Sequence, residues 1–273
     1  MGAVTVVRAM AVYDGKLWCG GVGGEIWTFD GTDWALQASG AWAVCSNLVT
    51  FDGRIYGTFT LPYPAGGEVR YSTGGEWTTD EVIAWPRTFM YLCEYDGNLY
   101  VVDDAVRVWR REEPDYVQIW AAGGGTPSNM AVYDGKLWLA RGPDGKVYSS
   151  EGGEFSLEYD GSDGDPWYIA SYGGELWVGL YGDTQVFRYD GVSWSEEGFD
   201  DFRRIRALAA VGGQLWIGTG YYARVYAWDG EVYCLDFQPS VATSQHDTYV
   251  FCEFNGDVYA GTSCGGHVFR LTA

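Results

Sequence analysis

Lysine and histidine are almost missing from this chain. Of 273 residues only Lys16, Lys136 and Lys146 are lysines and only His246 and His267 are histidines; 17 basic residues face 37 acidic ones, for a formal charge of −20. A surface this acidic repels phosphodiester backbones and anionic lipid headgroups, so nucleic acid and membrane are excluded as expected partners. The excess acid serves solubility in a chain that is 17% aromatic. No run of about 18 apolar residues occurs, so no membrane-spanning helix is predicted. The segment Met1-Gly2-Ala3-Val4-Thr5-Val6-Val7 has neither a basic start nor a cleavage-like site and predicts no secretory signal. The expected state is a soluble protein, with an extracellular or particle surface preferred as its location. None of the six cysteines forms a C-x-x-C pair, so the usual zinc spacing is absent. No G-x-S-x-G or other nucleophile motif appears, and the two histidines lack a third ligand. No catalytic residue, metal or cofactor is therefore expected, with calcium left as a weak alternative below.

What the chain has in quantity is glycine (40 residues) and a repeated sentence. Seven turns read Tyr13-Asp14-Gly15, Phe51-Asp52-Gly53, Tyr95-Asp96-Gly97, Tyr133-Asp134-Gly135, Tyr172-Gly173-Gly174, Val211-Gly212-Gly213 and Phe254-Asn255-Gly256. After each comes one polar residue and then a branched aliphatic–aromatic pair, such as Leu17-Trp18 or Leu215-Trp216. The turn starts at 13, 51, 95, 133, 172, 211 and 254 define a period near 40 residues. Two positions before each turn stand Ala11, Val49, Cys93, Ala131, Ala170, Ala209 and Cys252, a slot for small residues in which cysteine is a small hydrophobe. Asp-Gly and Gly-Gly pairs between alternating strands predict type I′ hairpins. Each copy reads as four short antiparallel strands, and no helical period appears anywhere.

The expected fold is therefore all-β: one seven-bladed β-propeller, four strands per blade, ahead of an open β-solenoid. The blades fall at about 8–37, 44–79, 88–120, 127–158, 166–198, 204–237 and 247–273, the last joined by 2–7 as an outer strand that closes the ring. A three-stranded last blade is the alternative. Most tryptophans and tyrosines are expected to pack between blades.

Gly212-Gly213-Gln214-Leu215-Trp216-Ile217-Gly218-Thr219, followed by Val225-Tyr226-Ala227-Trp228-Asp229-Gly230, resembles the repeats of bacterial regulator-type sensor propellers. The turns Asp30-Gly31 and Asp190-Gly191 are more distantly similar to the Asp-box of sialidases, and Gly20-Gly21 to a kelch doublet. These resemblances imply architecture and not activity.

Because strand direction alternates, the uniform Asp-Gly hairpins share one end of the molecule and the variable loops share the other. Variable loops on a rigid frame are where binding residues are expected. The candidates there are Tyr63, Trp85, Arg87, Arg141, Tyr181, Tyr221, Tyr222, His246 and His267, aromatic faces beside cations. Asp160, Asp163 and Asp165 form the weak calcium candidate, three carboxylates within six residues. The reading is a non-catalytic scaffold whose variable face holds a protein partner. The alternatives are a glycan-binding propeller, a virion or filament subunit, and a glycoside-hydrolase-like enzyme.

Overall fold

The computed structural model describes residues 5–40, 42–84, 87–161, 165–181, 185–198, 204–220, 222–228, 230, 233–237, 246–263 and 265–271, with the backbone alone at 198 and 233–237. These residues form antiparallel strands and no helix. The sixth copy shows the unit: strands Ile205–Val211, Gln214–Thr219, Val225–Trp228 and Tyr233–Phe237, paired in chain order. Four-stranded sheets of this kind recur along the chain. The first two are bridged by the single pair Val22↔Val44, and the last contains three strands, Thr248–Phe254, Asp257–Thr262 and Val268–Leu271.

The hairpins form as the dipeptides predict. Both central residues of all seven have positive φ, from Asp14 and Gly15 (49° and 67°) to Asn255 and Gly256 (53° and 80°). That is the type I′ geometry whose twist matches the flanking strands. A second device repeats beside it. The indole N–H of Trp18, Trp138, Trp177 and Trp216 donates to the carbonyl of Tyr13, Tyr133, Tyr172 and Val211 respectively, at 2.9–3.2 Å. The fixed spacing of the pair after the turn thus closes these hairpins as well as filling the core. Between its third and fourth strands the third copy has Glu113-Pro114, where the first, second, fourth, fifth and sixth copies have turn glycines. Its Arg111 forks onto Asp80 of the preceding copy (Nε–Oδ2 2.8 Å, Nη2–Oδ1 3.1 Å), and the Tyr116 hydroxyl donates to the same carboxylate at 2.8 Å.

Among the described residues the apolar core is divided into seven clusters, each shared between two copies. Ala9, Trp18 and Ile26 of the first copy meet Cys45, Leu48 and Phe59 of the second. The same sharing continues along the chain, and Val7, Met10, Leu17 and Cys19 of the first copy meet Phe254 and Tyr259 of the last. A second-strand glycine makes four of these approaches close. A Cβ on Gly20 would lie 2.9 Å from the Cys45 Cβ, one on Gly179 would lie 2.9 Å from the Ile205 Cγ2, and one on Gly218 would lie 2.8 Å from the Thr248 Cβ. The last copy repeats this contact onto the first, with Gly261 against Val7 at 2.6 Å.

Val6 and Val7 depart from the expected outer strand of the last copy. They pair with Val22 and Gly21 inside the first sheet, within strand Val6–Tyr13. Val7 is fully buried, and this pairing lets it fill the space that Gly261 leaves. Thr5 still reaches the last copy, its carbonyl accepting from Gly265 N at 3.1 Å. Cys19, Cys45, Cys93 and Cys252 are free. Burial, with Glu94 and Glu253 respectively adding to it, pushes the Cys93 and Cys252 thiols up to about 12, as expected of cysteines that serve as small packing residues.

Candidate functional site

The first strand of each copy carries an irregularity at the same place. Register shifts fall between Val7 and Ala9, Cys45 and Asn47, Pro166 and Tyr168, Ile205 and Ala207, and Thr248 and Val250. In the third copy Tyr91 and Phe89 pair with successive residues Val102 and Asp103. Each shift leaves one residue unpaired: Arg8, Ser46, Met90, Trp167, Arg206 and Tyr249, all five positions before the turn. A β-bulge of this kind bends the strand and re-aims the extra side chain. In the fourth copy the equivalent Ser128 turns back into its own sheet, accepting from Ala140 N at 2.9 Å.

The six bulge residues converge. Together with Tyr91 and Tyr168 they line one cavity of about 330 Å³, walled by six of the seven copies. It lies toward the starts of the first strands, which is the end with the variable loops. Tyr181 stacks flat on Trp167, with centroids 4.1 Å apart and planes at 13°. The Arg206 guanidinium stands 4.7 Å from the Tyr181 ring centre and 5.6 Å from that of Tyr249; Arg8 stands 5.4 Å from Tyr249. Arg206 Nε is 3.2 Å from Asp247 Oδ2, an ionic contact without hydrogen-bond geometry. The Tyr249 hydroxyl donates to the same oxygen at 3.0 Å. Burial, then the neighbouring Tyr91, holds the Tyr168 phenol well above its ordinary pKa; burial raises Tyr91 as well. Both phenols are therefore neutral at physiological pH and keep a proton to donate.

The loop candidates do not form one site. Tyr63 is 77% exposed. Arg87 faces Asp104 at 3.9 Å, beside the Gly123-Gly124-Gly125 loop. Arg141 is committed to Asp144 (Nε–Oδ1 3.0 Å) and to the Ala122 carbonyl (2.6 Å). Tyr222 sits at φ 78° with Arg224 over its ring at 5.8 Å. The backbone carbonyls of His246 and His267 accept from Ala223 N and Thr262 N, tying His246 to the neighbouring loop of the sixth copy and His267 to its own loop. Asp160 pairs with Lys146 at 3.6 Å, whereas Asp165 is turned against Gly142. Trp85, Tyr221 and Asp163 lie outside the described residues. Among the described residues no group of three His, Cys, Asp or Glu side chains is placed to hold a metal. Trp42, also a variable-loop ring, folds back into the core at 7% exposure. Of the described candidates only Tyr181 touches the cavity wall, through its stack on Trp167. Sequence reasoning missed Arg8, Arg206 and Tyr249. Their signal was a single column in which Arg, Ser, Met, Ser, Trp, Arg and Tyr stand in otherwise apolar strands.

No protein-family model and no curated protein matches this sequence. Solved structures do match. YCF48 bound to D1 peptide superposes with a TM-score of 0.79 at 12% identity, over all of this chain and 95% of that one. The WD40 β-propeller domain of Doa1 gives 0.76 at 12% identity, over 99% and 93%. The fold is a β-propeller. The extracellular domain of the one-component system BT4673 from B. thetaiotaomicron aligns at 0.69 and 14% identity, over 97% of this chain and 40% of that one, which agrees with the resemblance to sensor propellers. In propeller terms, the bulge residues occupy the inner strands. Among the described residues no helix is long and apolar enough to cross a membrane.

Proposed function

We propose that this chain is a non-catalytic binding propeller of seven blades closed into a ring, and that it holds a protein partner across the variable end of its axis. The observation that carries the reading is the convergence of Arg8, Trp167, Arg206 and Tyr249, from four different blades, on one cavity. Large aromatics and arginines in a concave, partly desolvated setting are the residues that dominate binding energy at protein interfaces. Closure is supported by the last copy meeting the first through Gly261 and Val7 in the way neighbouring copies meet. A peptide-bound relative in shape, YCF48 with D1 peptide, adds support for a partner of protein chemistry.

Affinity capture followed by quantitative mass spectrometry tests the reading, with the intact chain compared against Tyr249→Ala and Val192→Glu. Val192 is 89% exposed on the hairpin end and serves as the control. A partner depleted about ten-fold by Tyr249→Ala but kept by Val192→Glu is the expected result, matching loss of one interface anchor. Complexes that all survive the axial replacement would show that the partner sits elsewhere.

A further inference from the structure

We infer that the axial cavity is a site for a carboxylate carried on a flat apolar body: an aromatic carboxylic acid, either free or as the last residue of a peptide. The inference rests on the reading of this end as the binding end and adds the chemistry of what enters.

Charge is the first argument. Arg8 and Arg206 are both drawn to the ring of Tyr249, at 5.4 and 5.6 Å. Arg206 has the Asp247 carboxylate beside it, and that carboxylate also takes the Tyr249 hydroxyl. Arg8 makes no ion pair with any described residue. Two guanidiniums against one carboxylate leave a local positive excess in a chain whose formal charge is −20. Guanidiniums gathered on one ring repel each other, and an anion between them removes that cost. The contact of Arg206 Nε with Asp247 lacks hydrogen-bond geometry, so that carboxylate does not fully engage the guanidinium. Guanidinium forks match carboxylate geometry.

The walls supply the rest of the specificity. Met90, Tyr91, Tyr168 and Trp167 present apolar and flat surface around the cations, and Tyr181 braces Trp167 from behind. A volume of about 330 Å³ lies at the small end of ligand pockets. It suits one ring with a short acidic arm. A bare inorganic anion would satisfy the arginines and leave the rings facing water.

Titration calorimetry tests this on the whole chain with three probes: hydrocinnamate, the peptide N-acetyl-Ala-Ala-Phe with a free carboxylate, and the same peptide amidated. Arg206 is braced by Asp247, so its replacement risks the fold; Arg8 is exposed, and Arg8→Gln carries the test with Val192→Glu as control. At least one acid binds, amidation weakens binding by about ten-fold or more, Arg8→Gln does the same, and Val192→Glu changes nothing, as expected for loss of a charge-assisted hydrogen bond. Equal binding of both acids assigns the site to a free acid; binding of the peptide acid alone assigns it to a chain end. Binding of the amide as tightly as the acid, indifference to Arg8→Gln, or no binding of any probe at millimolar concentration overturns the inference. If a protein partner is still captured in that last case, the proposed function stands without it.

Discussion

At the residue scale, the buried polar groups separate into those that brace the frame and those that face the axis. Asp80 and Arg111 are 6% and 9% exposed at their side chains and hold two neighbouring copies together with Tyr116. Removing Asp80 leaves the buried Arg111 guanidinium with only the exposed Glu113 carboxylate, 3.1 Å from its Nη2, so Asp80→Ala is expected to cost about 3 kcal/mol in denaturant unfolding. Asp30 and Asp190 act differently. Each accepts two backbone N–H bonds across its turn at 2.7–2.9 Å, from Thr32 and Asp33 or from Val192 and Ser193. The backbone bonds from Asp33 and Ser193, followed by those from Thr32 and Val192, hold the two carboxyls below their ordinary pKa. A carboxyl depressed in the folded state contributes stability above its unfolded pKa of about 4 and loses it as pH falls through the folded value. The double variant Asp30→Asn/Asp190→Asn keeps the acceptor and removes the titration. Its melting temperature is expected to fall less steeply below about pH 4 than that of the parent chain.

At the element scale, the hairpins and four of the contacts between copies use glycine for separate reasons, and two substitutions separate them. Gly135, at φ 67°, has open space where a Cβ would go. Gly135→Ala therefore costs only the left-handed backbone term of about 1–2 kcal/mol. Gly218 has an ordinary backbone, but its Cβ would strike Thr248. Gly218→Val is an overpacking change of about 1–3 kcal/mol and is expected to weaken the contact between the sixth and seventh copies. Hydrogen exchange reads the difference: faster exchange spread over strands Gln214–Thr219 and Thr248–Phe254 for Gly218→Val, and confined to one hairpin for Gly135→Ala. The hairpins were legible in the sequence because Asp-Gly and Gly-Gly are among the few pairs that accept two positive φ values. The bulges were not. An extra residue in a strand has no fixed residue type, and the mixed column was its one trace, so Arg8, Arg206 and Tyr249 read as ordinary strand positions. Loop residues such as Tyr63 and Arg141 carried the stronger signal in the sequence, yet the structure leaves them exposed or ties them into local ion pairs.

At the scale of the whole molecule, the proposed binding site depends on how the first and last copies meet. The small-residue slot two positions before each turn marked closely packed strands, and the shared clusters between consecutive copies agree with that. The course of the N-terminus was not legible, because Val6 and Val7 suit an outer strand of the last copy and an inner strand of the first equally well; only the fit of Val7 to Gly261 selects the inner one. If the seven copies form a closed ring, then one column of bulge residues meets around one cavity. An open arrangement would separate Arg8 from Tyr249 and dissolve the site.

The direct test is a cysteine pair, Val7→Cys with Gly261→Cys, oxidised under mild conditions and mapped by mass spectrometry. A Cβ on Gly261 lies 3.0 Å from that of Val7, close enough for a disulfide after a shift of a few tenths of an ångström. A closed ring predicts a single intramolecular crosslink between positions 7 and 261 that raises the melting temperature. Failure of that crosslink to form in the folded monomer, or its formation only between molecules, would contradict the account.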